Sequence, residues 1–295
     1  MGSPLVLAIA LLLELIDVPR LWRGHLVSRL VPPQIHPVAL IYRGAAKIAR
    51  RGSLARNIAA LLAFAAGPAL AVYYAERALG HGIIAAAAEA YLLKLAFSES
   101  QILYPCRSAF RRGPAKPVVQ EFVRRDLSNA SPGHIASACL ETAAESLADS
   151  FISPLFWYAV LGLPGAWLQR AVNTLDGLMG FKEWGRSGAP AAYLDTALNY
   201  IPARLAALFI YAASAALGIR PRPRRPGEME SINARWPISA LAYSLGVRLE
   251  KPGSYSIGSG ELPTTGDALR GLKVLAAAAA LYSAALLLIL YMGLS

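Results

Sequence analysis

The chain has 295 residues, of which 56% are hydrophobic and only 16% charged. Soluble domains carry closer to a quarter charged residues, so a mean hydropathy of +0.43 points to a bilayer as the place where the excess apolar surface goes. The net charge of +11 comes without zinc-finger spacing, an aromatic RNA-binding signature or a helix-turn-helix pattern. Nucleic acid is therefore excluded as a partner, and cationic loops beside membrane helices account for the charge.

Six apolar segments follow in chain order: residues 4–16, 58–75, 82–97, 151–168, 205–219 and 274–294. They predict an all-α, polytopic integral membrane protein with about four to six membrane-embedded helices, forming a single domain over residues 1–295. The first segment has no cation ahead of it and no small-residue cleavage site behind it, so it reads as a retained helix rather than a signal peptide. Gly67-Pro68 inside the second predicts a kink rather than a break. The last, 21 residues without a charge, is the clearest spanning helix. Cation-rich stretches at 19–57, 98–150 and 220–273 are expected as cytoplasmic loops, with the short turn near Gly80 outside. This implies a multi-pass protein of the cell membrane. Two cysteines, Cys106 and Cys139, make neither a disulfide framework nor a metal quartet, and reduced thiols are the expectation.

Residues 151–168 contain Pro154 and Pro164, and residues 205–219 number only 15, against about 20 for a full span. If both crossed, Asn173 and Asp176 would be separated from Asp149 and Arg125. One or both are therefore expected to be re-entrant or buried within protein.

No phosphate-binding loop, dinucleotide glycine pattern, nucleophile elbow or zinc-protease motif is present. The chemistry instead concentrates between residues 141 and 204. Glu141, Glu145 and Asp149 stand at i, i+4 and i+8, one stripe on a helix. Like charges in a stripe repel and call for a cation, and Mg²⁺ carried on a nucleotide or phosphate fits hard oxygen donors. The alternative is a solvated acidic face. Asn173-Thr-Leu-Asp176 offers further oxygen ligands, or a plain helix cap, and Lys182 follows. Asp195 and Asn199 lie one helical turn apart, ahead of Pro202 and Arg204. Arg204 either snorkels at a membrane boundary or clamps a phosphate. His36, ahead of Pro37-Val38, is more often a structural group than a catalytic one.

Taken together these blocks resemble the cobinamide-phosphate synthase family of cobalamin-biosynthesis membrane enzymes (CbiB in one naming, CobD in another). The carrying residues are Asp17-Val-Pro19, His36-Pro-Val38, Arg125-Asp126, Glu141 through Asp149, Pro154-Leu-Phe156, Asn173-Thr-Leu-Asp176 and Gly180-Phe-Lys182. Asp195, Asn199-Tyr-Ile-Pro-Ala-Arg204, Trp236-Pro237 and Leu245-Gly-Val-Arg-Leu249 complete the set. The resemblance implies an ATP-dependent amide ligation that joins adenosylcobyric acid to aminopropanol or its O-phosphate, with ATP and Mg²⁺ as cofactors. On that reading Glu141, Glu145, Asp149 and Asp176 hold metal, and Asn173, Asp195, Asn199 and Arg204 complete the catalytic set. His36, Arg125, Asp126, Lys182 and Arg204 meet substrate or phosphate. Homo-oligomer formation stays open. The chain departs from the family pattern at Ser146, Ser150, Gly177-Leu178, Leu194 and Arg235. A non-catalytic relative acting as a sensor or scaffold is the alternative. A transporter would show two matching halves, and the sequence has none.

Overall fold

The computed structural model describes residues 2–22, 25–32, 34–112 and 115–293. Its 72% helix content bears out the all-α expectation. In chain order the helices are α1 (Pro4–Ile16), α2 (Pro37–Ile48), α3 (Leu54–Leu79), α4 (Ile83–Ala96), α5 (Ser100–Arg112), α6 (Ala115–Gln120) and α7 (Pro132–Ser146). They continue as α8 (Ser153–Met179), α9 (Ala189–Leu198), α10 (Tyr200–Ala216), α11 (Arg235–Leu245) and α12 (Thr265–Tyr291). Two antiparallel hairpins, β1 (Arg20–Trp22) with β2 (His25–Val27) and β3 (Leu249–Lys251) with β4 (Tyr255–Ile257), are the only sheets among the described residues.

Side-chain oxygens start three of the helices. Ser3 caps α1, Ser131 caps α7, and Thr264 with Asp267 forms a capping box on α12. Each satisfies an N–H that a helix start leaves without a partner. The stretches expected as loops are themselves partly helical: residues 98–150 contain α5, α6 and α7, and 220–273 contain α11 and the start of α12. Their charges misled the reading. In α5, for example, Arg107, Arg111 and Arg112 accompany a buried face of Pro105, Cys106 and Ala109, so the segment is an amphipathic helix rather than a connector.

Three helical stretches, Leu54–Leu79, Pro132–Met179 and Thr265–Tyr291, are long and apolar enough to cross a membrane. Pro4–Ile16 and Tyr200–Ala216 are shorter apolar helices. Leu62 on α3 and Leu288 on α12 are 64% and 56% exposed, as lipid-facing positions are. Helix α3 runs unbroken through Pro68.

The middle stretch is not one straight rod. At Gly162 the backbone takes φ 69°, ψ −161°, a conformation open to glycine and costly for other residues. The chain reverses there. Gln169 reaches back to the Asp149 carbonyl at 3.1 Å, and Arg170 to the Ser150 hydroxyl at 3.1 Å. At 1.5 Å per residue the returning limb, residues 163–179, is about 26 Å long and the outgoing limb, residues 132–161, is longer. Residues 151–168 thus contain the turn of a helical hairpin rather than one continuous rod, and the reversal brings Asp176 back beside Asp149.

A π-helical segment, Leu147–Ile152, joins α7 to α8. Such a turn takes carbonyls out of the regular ladder, and each must find another donor. The Asp149 carbonyl takes Gln169, Ser150 takes the Ser98 amide at 2.9 Å, and Ile152 takes the Tyr282 hydroxyl at 3.2 Å. The core around this junction contains Trp167, Leu140, Leu147, Leu155 and Leu163, all fully buried.

The two cysteines are paired, Cys106 on α5 with Cys139 on α7. This corrects the expectation of free thiols. Two cysteines 33 residues apart give no spacing signal, and only the packing of α5 on α7 brings them together.

Candidate functional site

The hairpin brings Glu145 and Asp149 from the outgoing limb to Asp176 on the returning one. Helix α9 adds Asp195. These four carboxylates and Glu230 line a cavity of about 440 Å³ together with Lys251, Tyr255, Ser231 and Asn233. Asp195 is held in place by two amides: Asn173 donates to its Oδ1 at 3.2 Å and Asn199 at 2.8 Å. Gln169 in turn donates to the Asn199 side-chain oxygen at 3.0 Å. Burial lifts the Asp195 carboxyl above the usual range, and the two amide donors pull against that lift. The expected helical turn between Asp195 and Asn199 is present. The alternative reading of Asn173 and Thr174 as a cap is not. They lie deep in the returning arm, and the Thr174 hydroxyl bonds back to the Arg170 carbonyl at 2.8 Å.

Glu141 does not join this group. One of its oxygens accepts from Arg125 at 3.2 Å and from the Ser137 hydroxyl at 2.5 Å. The other accepts from the Tyr255 hydroxyl at 2.6 Å. Burial and the neighbouring Glu141 both push the Tyr255 phenol upward, so it stays protonated as a donor. The i, i+4, i+8 stripe is divided by its partners: Glu141 and Glu145 both lie in α7 ahead of the π segment, but Arg125, Ser137 and Tyr255 engage both Glu141 oxygens. Arg125 also donates to the Glu250 carbonyl, so the pair Arg125–Glu141 ties α7 to β3.

Three other expected residues lie off the cavity wall. Lys182 makes an exposed ion pair with Glu230 at 2.7 Å. Asp126 is exposed and accepts from the Ser128 amide and hydroxyl, which holds its carboxyl below the usual range. Arg204 stands behind the wall. Its guanidinium stacks over Tyr200 and Trp236 at 3.5 and 4.9 Å and donates to the Asn233 side-chain oxygen at 2.9 Å. Asn233 is the residue that faces the cavity.

His36 is elsewhere. It caps α2 through Nδ1, which accepts from the Val38 amide at 3.3 Å, and it lines a second cavity with Asp17, Lys94 and Arg170. Burial lowers its pKa to about 4, aided by Arg170 and Lys94. Beside it, Lys94 is 3% exposed and bridges Glu14 at 3.0 Å and Asp17 at 2.8 Å. Burial pushes the Asp17 carboxyl up, but Lys94, the Ser28 hydroxyl and the Arg29 amide together hold it below its ordinary value.

The sequence reading missed Gln169, Arg170, Lys251 and Tyr255. The first two carried a signal: adjacent polar residues straight after Trp167-Leu168 in an apolar run are costly unless partnered. Lys251 and Tyr255 arrive on the β3–β4 hairpin from far along the chain and carried none.

The hard oxygen donors at the cavity suit a cation such as Mg²⁺. Among the described residues no three His, Cys, Asp or Glu side chains converge as a ready-made metal cage. Mg²⁺ usually binds through one or two carboxylates plus phosphate oxygens and water, so five carboxylates spread around one cavity fit a metal that arrives with a phosphate ligand.

The fold and site together define a helical protein with membrane-length apolar segments and an acid-lined cavity. The chain belongs to the CobD/Cbib protein family, whose profile matches residues 7–283. It is 37% identical over 278 residues to the probable cobalamin biosynthesis protein CobD of Aeropyrum pernix, covering 88% of this chain and 87% of that one. It is 41% identical over 170 residues to the protein of the same name from Thermoplasma acidophilum, 54% of this chain and 55% of that one. The corresponding Methanococcus vannielii protein is 35% identical over 206 residues, 67% of this chain and 64% of that one. No solved structure matches the chain.

Proposed function

We propose that this chain is a multi-pass cell-membrane ligase of cobalamin biosynthesis, an adenosylcobinamide-phosphate synthase. It joins the free propionate of adenosylcobyric acid to aminopropanol or its O-phosphate at the expense of ATP. The observation that carries this is the convergence of Glu145, Asp149, Asp176 and Asp195 on one cavity, in a chain whose relatives bear cobalamin-biosynthesis names.

Activation of a carboxylate by ATP transfers a phosphoryl group, and the protein's part in such a step is positioning and charge. Asp149 and Asp176 would hold Mg²⁺, with Glu145 and Asp195 near it. Bound there, Mg²⁺ would neutralise charge on the nucleotide phosphates. Asn173 and Asn199 fix Asp195 in one orientation. Lys251 places a cation at the same wall, where it can meet phosphate oxygens. Glu141, with both oxygens engaged, supports the wall through Tyr255.

The test uses membranes containing the full chain, supplied with ATP, Mg²⁺, adenosylcobyric acid and aminopropanol phosphate, and followed by mass spectrometry. The expected result is an amide product that disappears in Asp176→Ala. Absence of product with either amine would refute the ligase, and retained corrinoid binding would then favour a sensor or scaffold.

A further inference from the structure

Arg204 lines a third cavity, of about 210 Å³, which shares no residue with the acidic one. Helix α10 supplies Arg204, Leu208 and Tyr211 to it, α11 supplies Trp236, and the stretch after α10 supplies Arg224. That stretch reads Arg220-Pro-Arg-Pro-Arg-Arg-Pro226 and has no regular secondary structure. Its three prolines hold it extended and stiff. It is pinned to α11: the Gly227 amide donates to the Ser239 hydroxyl at 2.9 Å, and the Tyr243 hydroxyl to the Arg225 carbonyl at 3.2 Å. The chain therefore folds back beside α10, and Arg224 reaches the same space as Arg204.

Cations gather at this corner without anions. Arg235, next to Trp236, is close enough for its charge to oppose that of Arg204. Arg204 gives Nη1 to the Tyr200 carbonyl and the Asn233 side chain, both uncharged. Among the described residues no carboxylate pairs with Arg204, Arg224 or Arg235. The acids that follow in sequence do not change this: Glu230 is held by Lys182, and Glu228 pairs with none of the three arginines. Two donors beside them also lack partners, since Arg235 Nε and Trp236 Nε1 are buried and make no hydrogen bond. Opposed guanidinium groups and buried donors without acceptors are both costly, and an oxyanion relieves both.

The surroundings indicate which oxyanion. The volume falls below the roughly 300 Å³ of pockets that enclose whole small ligands, so it suits a headgroup phosphate whose remainder lies outside. Leu208 on its wall is 59% exposed, and Ile201, two turns earlier on the same face of α10, is 54% exposed. An apolar stripe thus leads away from the cavity. Tyr211 and Trp236 are residue types that collect where lipid meets water. Arg220, Arg222, Arg224 and Arg225 are all exposed, a polybasic run of the kind that anionic leaflets attract.

We infer that this corner is a binding site for an anionic phospholipid, with Arg204, Arg224 and Arg235 around the headgroup phosphate and an acyl chain along Leu208 and Ile201. The occupant comes from the bilayer and not from the reaction, so the inference stands without the ligase reading.

The experiment titrates the full chain in a neutral detergent with phosphatidylglycerol, or with phosphatidylcholine of the same acyl chains, and reads the thermal midpoint. Arg224 is exposed and outside any helix, so Arg224→Ala is expected to fold, and its midpoint without lipid checks this. The midpoint of the wild type should rise saturably with phosphatidylglycerol and less at high salt. Arg224→Ala and Arg235→Gln should each need about tenfold more lipid for the same rise, with partial recovery in Arg224→Lys. The double variant Arg220→Ala with Arg222→Ala, in the same run but off the cavity wall, should need a smaller increase than Arg224→Ala. Four results would each overturn the site: an equal rise with phosphatidylcholine, unchanged titrations in both Arg224→Ala and Arg235→Gln, a loss in the double variant as large as that in Arg224→Ala, or the same rise with glycerol 3-phosphate alone. The third would mean diffuse charge, and the last a soluble phosphate ester in place of a lipid.

Discussion

Gln169 lies twenty residues beyond Asp149, yet its side-chain amide donates to the Asp149 carbonyl at 3.1 Å. That contact is possible only because the chain reverses at Gly162. The reversal needs φ 69°, ψ −161°, where a Cβ costs about 1–3 kcal/mol. Gly162→Ala is therefore expected to lower the thermal midpoint measurably in detergent. It should also reduce amide formation more than stability, because Asp149 and Asp176 depend on the reversal for their proximity. A variant with wild-type activity would show that the reversal is not what assembles the cavity.

Glu141 and Glu145 sit one helical turn apart, and their substitutions should separate. Glu141→Ala removes the partner of Arg125, whose side chain is only 16% exposed, and leaves the Tyr255 hydroxyl without its acceptor. A broken buried pair typically costs about 3–5 kcal/mol, so the loss should appear in denaturant or thermal unfolding. Glu145→Gln removes one of five carboxylates around a cavity and breaks no ion pair. It is expected to leave the unfolding midpoint unchanged or raised while weakening the dependence of activity on Mg²⁺. Equal destabilisation by both variants would contradict the division of roles.

The helical, membrane-grade character of the chain was legible because apolar run length is a local property. The roster of the acidic site was largely legible too, since Glu145, Asp149, Asp176 and Asp195 are costly groups beside apolar sequence. Their arrangement was not. A stripe from Glu141 to Asp149 counts spacing alone, and the engagement of Glu141 by Arg125 and by the distant Tyr255 carries no local mark. The pairing of Lys94 with Glu14 and Asp17 spans about eighty residues, and the pairing of Cys106 with Cys139 depends on two helices meeting. Neither is written in local pattern. Arg170 was the readable miss, a guanidinium straight after an apolar run, where a charge is costly unless partnered.

His36 gives a pH signature. In the folded chain its pKa lies near 4, against about 6.5 when unfolded. Below pH 6.5 the unfolded chain takes up a proton that the folded chain refuses. Stability from this group is complete above pH 6.5 and is lost as pH falls toward 4. His36→Asn keeps a side-chain cap for α2 and removes the titration. The thermal midpoint of the wild type minus that of the variant should fall across this window. The raised Asp195 carboxyl titrates with the opposite sign but is common to both proteins, so it cancels in the difference. A flat difference would place His36 in contact with water.

The Cys106–Cys139 bond closes a separation of 33 residues, a loop for which chain entropy gives about 3–4 kcal/mol. Thiol titration of the unfolded protein should find no free thiol before reduction and two after it. Reduction should lower the thermal midpoint by roughly 5–10 °C. Two titratable thiols in oxidised, freshly isolated protein would refute the pairing.

Gly180 closes the returning arm, its amide donating to the Asp176 carbonyl at 2.8 Å. A Cβ built at Gly180 would lie 1.8 Å from Asp176 Oδ1, far inside contact distance. The carboxylate is the movable partner, so Gly180→Ala is expected to push it off its position in the cavity rather than unfold the helix end. Displacement of a positioned group by about 1 Å can cost on the order of a hundredfold in rate. The expected outcome is amide formation reduced about ten- to a hundredfold, with the thermal midpoint nearly unchanged and a higher Mg²⁺ requirement. Combining it with Asp176→Ala discriminates the cause. If Gly180 acts through Asp176, the double variant should be no worse than Asp176→Ala alone, because the group that is displaced has already gone. Additive losses would mean that Gly180 matters for the backbone approach at the arm's end and not for the carboxylate.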